Sequence, residues 1–178
     1  MKKIAVVGPI GAGKSHLANE LGGLLGIRVL HLDALYWKPG WVPTPRDEHE
    51  AMQRRELAAD SWIVEAQPDD MLPEWVSTAD TVVFVDTSLF RSLWRVGKRR
   101  LNRHASVGTP VGQPGALHRS VGKFARNQWY YRTTVRPELL VELARERRGR
   151  RVIVLRRDSE AAAFLRGLDS PTAAGGTL

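Results

Sequence analysis

Nine residues near the start of the chain, Gly8 to His16 (GPIGAGKSH), combine the groups needed to hold a string of phosphates. Gly8, Gly13, Lys14 and Ser15 satisfy the pattern G-x-x-x-x-G-K-[ST], with Pro9, Ile10, Gly11 and Ala12 between them. Glycines let successive backbone N–H groups converge on phosphate oxygens, and a helix opening at Lys14 adds the positive end of its dipole. Lys14 would neutralise the β- and γ-phosphates, and the Ser15 hydroxyl would ligate Mg²⁺. His16 supplies only its backbone N–H. The stretch implies ATP or a similar nucleoside triphosphate as ligand, with Mg²⁺ as cofactor.

Three carboxylates follow the ends of apolar runs. Asp33 closes RVLHLD, Glu65 lies in SWIVEA and Asp86 closes TVVFVD. Phosphoryl transfer needs a carboxylate to orient or deprotonate the acceptor hydroxyl, and Asp33 is the first candidate, with a turn cap as the alternative. Asp86 has the placement of a second metal ligand, or of a cap for the helix that follows. Glu65 is either a substrate contact or a buried structural partner. Tyr36, Trp37 and Trp41 follow Asp33 closely, placed either to stack on a flat acceptor or simply to pack. His31, His104 and His118 are too scattered to argue a metal site.

Charge adds a second theme. Residues 1–80 carry 8 Lys/Arg and 12 Asp/Glu, whereas residues 81–178 carry 19 and 7. Between Arg91 and Arg136 there are 11 basic residues and no acidic one. A solvated face normally mixes signs, so this stretch expects a polyanion: ATP, a phosphorylated substrate or nucleic acid. Arg91, Arg95 and Arg99 recur every four residues on one helical face, while Phe90, Trp94, Gly97 and Leu101, with Leu89, Leu93 and Val96, form an apolar stripe.

The elements that must position these groups alternate. Strands are expected at Lys3–Val7, Arg28–Asp33, Ser61–Ala66, Thr81–Asp86 and Arg151–Leu155. Helices are expected over Lys14–Leu25, from Thr44 (a cap, with Pro45 first in the helix) to about Asp60, from Ser88 to about His104, over Val121–Arg148 with Pro137 kinking or dividing it, and over Ser159–Leu168. Trp129, Tyr130 and Tyr131 are expected in the core. Ala105–Ser120 reads as a Gly/Pro-rich loop and residues 169–178 as a disordered tail. Short β-branched strands alternating with helices imply an α/β, three-layer P-loop NTPase fold on a five-stranded parallel sheet. Ligands then sit at the carboxyl ends of its strands. Residues 1–168 suit a single domain, with a basic helical lid over about 91–136. With no cysteine there is no thiolate metal site or disulfide framework. No apolar run is long enough for a signal peptide or a membrane span, so a cytoplasmic location is expected.

RVGKRR (Arg95–Arg100) resembles the helix leading into the lid of adenylate kinases, where two arginines four apart contact ATP phosphates; Arg95 and Arg99 hold those places. HLDALYWKPGW (His31–Trp41) with SWIVEA resembles a group of small adenylate-kinase-like bacterial P-loop proteins labelled topology modulation or FlaR-related. Relatives in that group usually read Asp-Gly-Asn-Tyr where this chain has Glu65-Ala66-Gln67-Pro68, so the acid is kept and the glycine and tyrosine are not. The resemblance implies an ATP-dependent kinase of a small acceptor: a nucleoside, a nucleotide or another hydroxyl metabolite. The alternatives are a polynucleotide 5′-hydroxyl kinase and a non-catalytic ATP-binding regulatory protein. No N-K-x-D element marks a GTPase, and no nucleic-acid-binding module is recognisable.

Overall fold

A computed structural model describes residues 1–38, 42–66, 76, 78–101, 121–145 and 150–169. The elements are β1 (Lys3–Val7), α1 (Lys14–Leu25), β2 (Val29–His31), α2 (Leu32–Leu35), β3 (Trp37–Lys38), β4 (Val42–Pro43), α3 (Arg46–Leu57), β5 (Trp62–Ala66), β6 (Thr81–Val85) and α4 (Leu89–Leu101). After residue 120 come α5 (Val121–Tyr130), a π-helical turn (Tyr131–Val135), α6 (Arg136–Arg145), β7 (Arg151–Leu155) and α7 (Asp158–Asp169).

Five parallel strands lie in the order β2-β5-β1-β6-β7. The sheet is covered on both faces, and β1 shows why. In an extended strand successive side chains point to opposite faces. Ala5 and Val7 join one core with Val64, Val82, Phe84, Tyr131, Val135, Leu139 and Leu143. Ile4 and Val6 join the other with Leu17, Ala18, Leu21, Ile63, Val83 and Leu155. Each fully buried aliphatic side chain here contributes about 1.5–3 kcal/mol. β1 is central, so its carboxyl end, where the glycine loop begins, lies in the middle of the ligand-binding edge.

Three expectations about local structure are corrected. β2 stops at His31, the residue paired with Glu65 across the ladder, and the chain turns at once into α2. Asp33 therefore lies within that short helix rather than at a strand end. Thr44 is buried but does not cap α3: its N–H donates to Tyr36 O and its hydroxyl to Leu35 O, tying the chain back to α2. Pro45 takes the cap position. The proline-bearing loop also contains a small antiparallel pair, β3 with β4, that sequence reading missed because Pro43 argued against a strand.

The helical region after residue 120 is divided close to Pro137, as expected. The wider turn comes just before it, at Tyr131–Val135, closed by the Arg136 N–H donating to Tyr131 O. Regular α-helix resumes at Arg136, with Pro137 in its first turn.

Candidate functional site

The loop Gly8–Ser15 joins the end of β1 to α1, and its lysine is not a surface charge. Lys14 is 7% exposed. Its Nζ donates to Pro9 O at 3.1 Å and lies 3.7 Å from Glu65 Oε1. The other Glu65 oxygen accepts from His31 Nδ1 at 3.0 Å. Burial works to raise the Glu65 pKa, but the His31 bond, the Lys14 charge and a hydrogen bond from Ser15 together hold it below the usual range. Glu65 thus stays ionised behind the loop, joining β2, β5 and the start of α1. His31 was assigned no chemistry from sequence. The β2–β5 register, which the sequence does not display, places the last residue of β2 opposite Glu65.

Arg95 reaches the same loop from α4. Its Nη1 donates to Ala12 O and its Nη2 to Asp158 at the start of α7. The guanidinium packs against Gly13, whose left-handed backbone, φ 97°, is what favours glycine at that position. Ala12, Gly13, Leu17, Val85, Arg95, Lys98, Leu155, Asp158 and Ala161 help to line an open cavity of about 530 Å³ beside the loop. That volume is ordinary for a small-molecule site. Its walls are aliphatic and its rim is charged.

A second ion pair stands at the end of β6. Asp86 is 9% exposed and accepts two hydrogen bonds from Arg136, Nε to Oδ1 at 2.9 Å and Nη2 to Oδ2 at 2.6 Å. Each of its oxygens accepts one bond of the Arg136 fork, so the carboxylate offered to a metal is also paired with a cation. Arg132, one turn earlier, donates from Nη2 to Thr87 O at 2.8 Å. Tyr131 is buried beside these groups, and desolvation together with the Asp86 charge pushes its hydroxyl pKa well up.

The structure therefore brings Lys14, Ser15, Glu65 and Arg95 to one edge, with His31, Asp86, Arg132 and Arg136 around them. Tyr36 is exposed and makes an edge-on ring contact with His49, at 5.6 Å between centroids. The side chains of Asp33, Trp37 and Arg99, and all of Trp41, Gln67, Pro68, residues 102–120 and residues 170–178, lie outside the described residues. Among the described residues no cluster of three or more His, Asp or Glu could hold a metal, and no helix is long and apolar enough to cross a membrane.

Two packing expectations fail here. Phe90 and Trp94 were placed on a buried stripe but are 85% and 73% exposed. Among the described side chains of α4, Ser92 is fully buried and shares a hydrogen bond with Thr87, and Arg95 reaches the phosphate loop. Trp129 and Tyr130 are likewise exposed, and only Tyr131 of the aromatic trio reaches the core.

No family model and no curated protein matches the sequence. Solved structures do match in fold. Shikimate kinase from Acinetobacter baumannii, in complex with shikimate, superposes with a TM-score of 0.58 at 17% identity, over 94% of this chain and 90% of that one. Shikimate kinase from Bacteroides thetaiotaomicron gives a TM-score of 0.52 at 13% identity, over 93% of this chain and 94% of that one. The chain has the P-loop kinase fold, as the adenylate-kinase-like motifs led one to expect. The narrower resemblance to topology modulation proteins rests on sequence motifs alone.

Proposed function

We propose that this chain is an ATP- and Mg²⁺-dependent phosphotransferase acting on a small hydroxyl-bearing acceptor. The observation that carries the reading is buried Lys14: its loop borders a cavity of about 530 Å³, and its ammonium lies 3.7 Å from Glu65, which also pairs with His31 beside the turn bearing Asp33. A donor and an acceptor would then meet at the loop.

In this reading the loop amides and Lys14 hold the β- and γ-phosphates, and the cavity takes the nucleoside. The hard-oxygen donor set at the start of α1, the Ser15 hydroxyl backed by ionised Glu65, fits Mg²⁺, which prefers one or two protein oxygens plus phosphates. When bound, that ion supplies neutralisation of the phosphate charge. The acceptor oxygen bonds to the γ-phosphorus, and the bond to the β–γ bridging oxygen breaks, leaving ADP. The hydroxyl proton passes to the Asp33 carboxylate. Arg95 and Arg99 offset charge on the transferring group once Arg95 leaves Ala12 and Asp158. Tyr36, Trp37 and Trp41 follow Asp33 and would flank the acceptor. Residues 1–168 form one domain, and residues 91–136 its lid, in a cytoplasmic protein.

The acceptor is a nucleoside, a nucleotide or another hydroxyl metabolite; the fold neighbours put shikimate among those to try first. The test is incubation with γ-labelled ATP and a panel of such acceptors plus a 5′-hydroxyl oligonucleotide, read by product mass. A labelled small-molecule product is expected. Label on the oligonucleotide alone would favour the nucleic-acid reading, and nucleotide binding with no transfer to any acceptor would favour a regulatory module.

A further inference from the structure

Gln128, Arg132 and Arg136 form a row at four-residue spacing along α5, the π-turn and α6. The row meets the carboxyl edge of the sheet at three points: Ile10 O in the phosphate loop, Thr87 O after β6, and the Asp86 carboxylate. Of the three, Gln128 is the one that touches the loop, with Nε2 donating to Ile10 O at 3.0 Å.

That contact is made at a cost. Gln128 is 2% exposed and its Oε1 has no hydrogen-bond partner among the described residues. An unpaired buried carbonyl oxygen costs about 1–3 kcal/mol, and a leucine or methionine would fill a similar volume without it. The amide cannot be reversed, because Oε1 would then face the Ile10 oxygen, acceptor against acceptor. What glutamine offers here is the bond to Ile10.

The bond has a geometric consequence for the next residue. In a trans peptide the C=O and the following N–H lie in one plane and point in opposite directions. Gln128 holds the Ile10 C=O toward α5, so the Gly11 N–H is turned the other way, away from the helix. Gly11 is left-handed, with φ 77°. A glycine accepts either hand at little cost, so the Ile10–Gly11 peptide is one that would otherwise swing freely. A phosphate cradle needs its amides to converge.

We propose that Gln128 is a positioning residue for phosphate binding, clamping the Ile10–Gly11 peptide so that the Gly11 N–H faces the phosphates. The inference rests on the triphosphate reading of the loop. It also joins the helix that follows residues 102–120 directly to the phosphate cradle.

Calorimetry of the wild type, Gln128→Leu and Gln128→Glu with ATP, ADP and adenosine tests this. ATP and ADP affinity should fall about tenfold in both variants while adenosine affinity stays within about twofold. A merely structural role would weaken all three ligands alike and lower the melting temperature with them, and that result overturns the clamp. Unchanged ATP affinity in a folded variant overturns it too. A wild type that does not bind ATP at all would instead sink the reading of the loop, and the clamp with it. If both variants unfold, the wild-type Gly11 amide resonance decides: a marked shift on adding ATP, absent with adenosine, is expected, and no shift refutes the clamp.

Discussion

Asp86 and Arg136 stand 50 residues apart in sequence, yet their side chains meet through two parallel hydrogen bonds at the end of β6. The pair ties the central sheet to the helix that carries the polar row over the phosphate loop. It also occupies the oxygens of the carboxylate that sequence reading offered to a metal.

Removing Arg136 should therefore weaken the fold. Arg136→Ala leaves a buried carboxylate without its fork, an expected loss of about 1–3 kcal/mol in urea unfolding. Arg136→Lys should recover only part, because an ammonium cannot make the two-point contact. Equal stability of wild type and Arg136→Ala would show that Asp86 finds other partners at no cost.

Lys14→Ala should lower turnover by about 10³-fold or more, since its charge is placed for the phosphates. Buried Lys14 also faces Glu65, so a smaller loss of stability, about 1–3 kcal/mol, should accompany it. Normal turnover by this variant at saturating ATP would refute the assignment of the loop.

Glu65 sets an acid limb. Its folded pKa lies below the ordinary value, so its contribution to stability is complete above about pH 4.5 and is lost as pH falls through the lowered value. Glu65→Gln has no such group to protonate. Its melting temperature should lie below wild type at pH 7 and converge on it in acid, as pH falls through the lowered Glu65 value. Parallel curves across that range would mean the carboxylate charge is not what stabilises the edge.

Asp33→Asn keeps size and polarity and removes the charge. The expected result is a fall in kcat of about 10²-fold with little change in ATP affinity. If ATP affinity falls in step and kcat per bound ATP does not, Asp33 serves the structure of α2 instead.

Arg95 separates a kinase lid from a nucleic-acid groove. Arg95→Ala should cost about 10²-fold in kcat, whereas Arg91→Ala and Arg126→Ala, both at exposed positions, should stay within about twofold. A groove would spread its energy, each substitution weakening binding alike and lowering the salt slope by about one. Single-strand and duplex binding across salt concentrations, measured beside ATP turnover, distinguishes the two.

What the sequence determined by itself was local. The glycine loop is legible because its spacing is the chemistry: backbone amides can converge only where side chains are absent. The five strands are legible because each is a short β-branched run, and four of them match the expected bounds to within a residue at either end. The fifth, β2, ended early, because whether a backbone continues as strand depends on a neighbour to pair with, and β5 pairs with it only as far as His31.

The tertiary structure decided which groups meet. Lys14, Glu65 and His31 come together because β1, β5 and β2 are parallel neighbours ending at one edge, a topology that none of the three residues encodes. It also decided which helix faces are buried. Phe90 and Trp94 have the spacing of a core stripe, and Trp129 and Tyr130 the character of core residues, yet all four face outward. Periodicity reports that a face exists; it does not report what that face must touch. Here the strand ends offered a loop carbonyl, a backbone oxygen and a carboxylate. A buried polar group without a partner costs about 1–3 kcal/mol, which favours helix faces that can supply donors. Arg95, Gln128, Arg132 and Arg136 answered them, and the aromatics took the positions that remained.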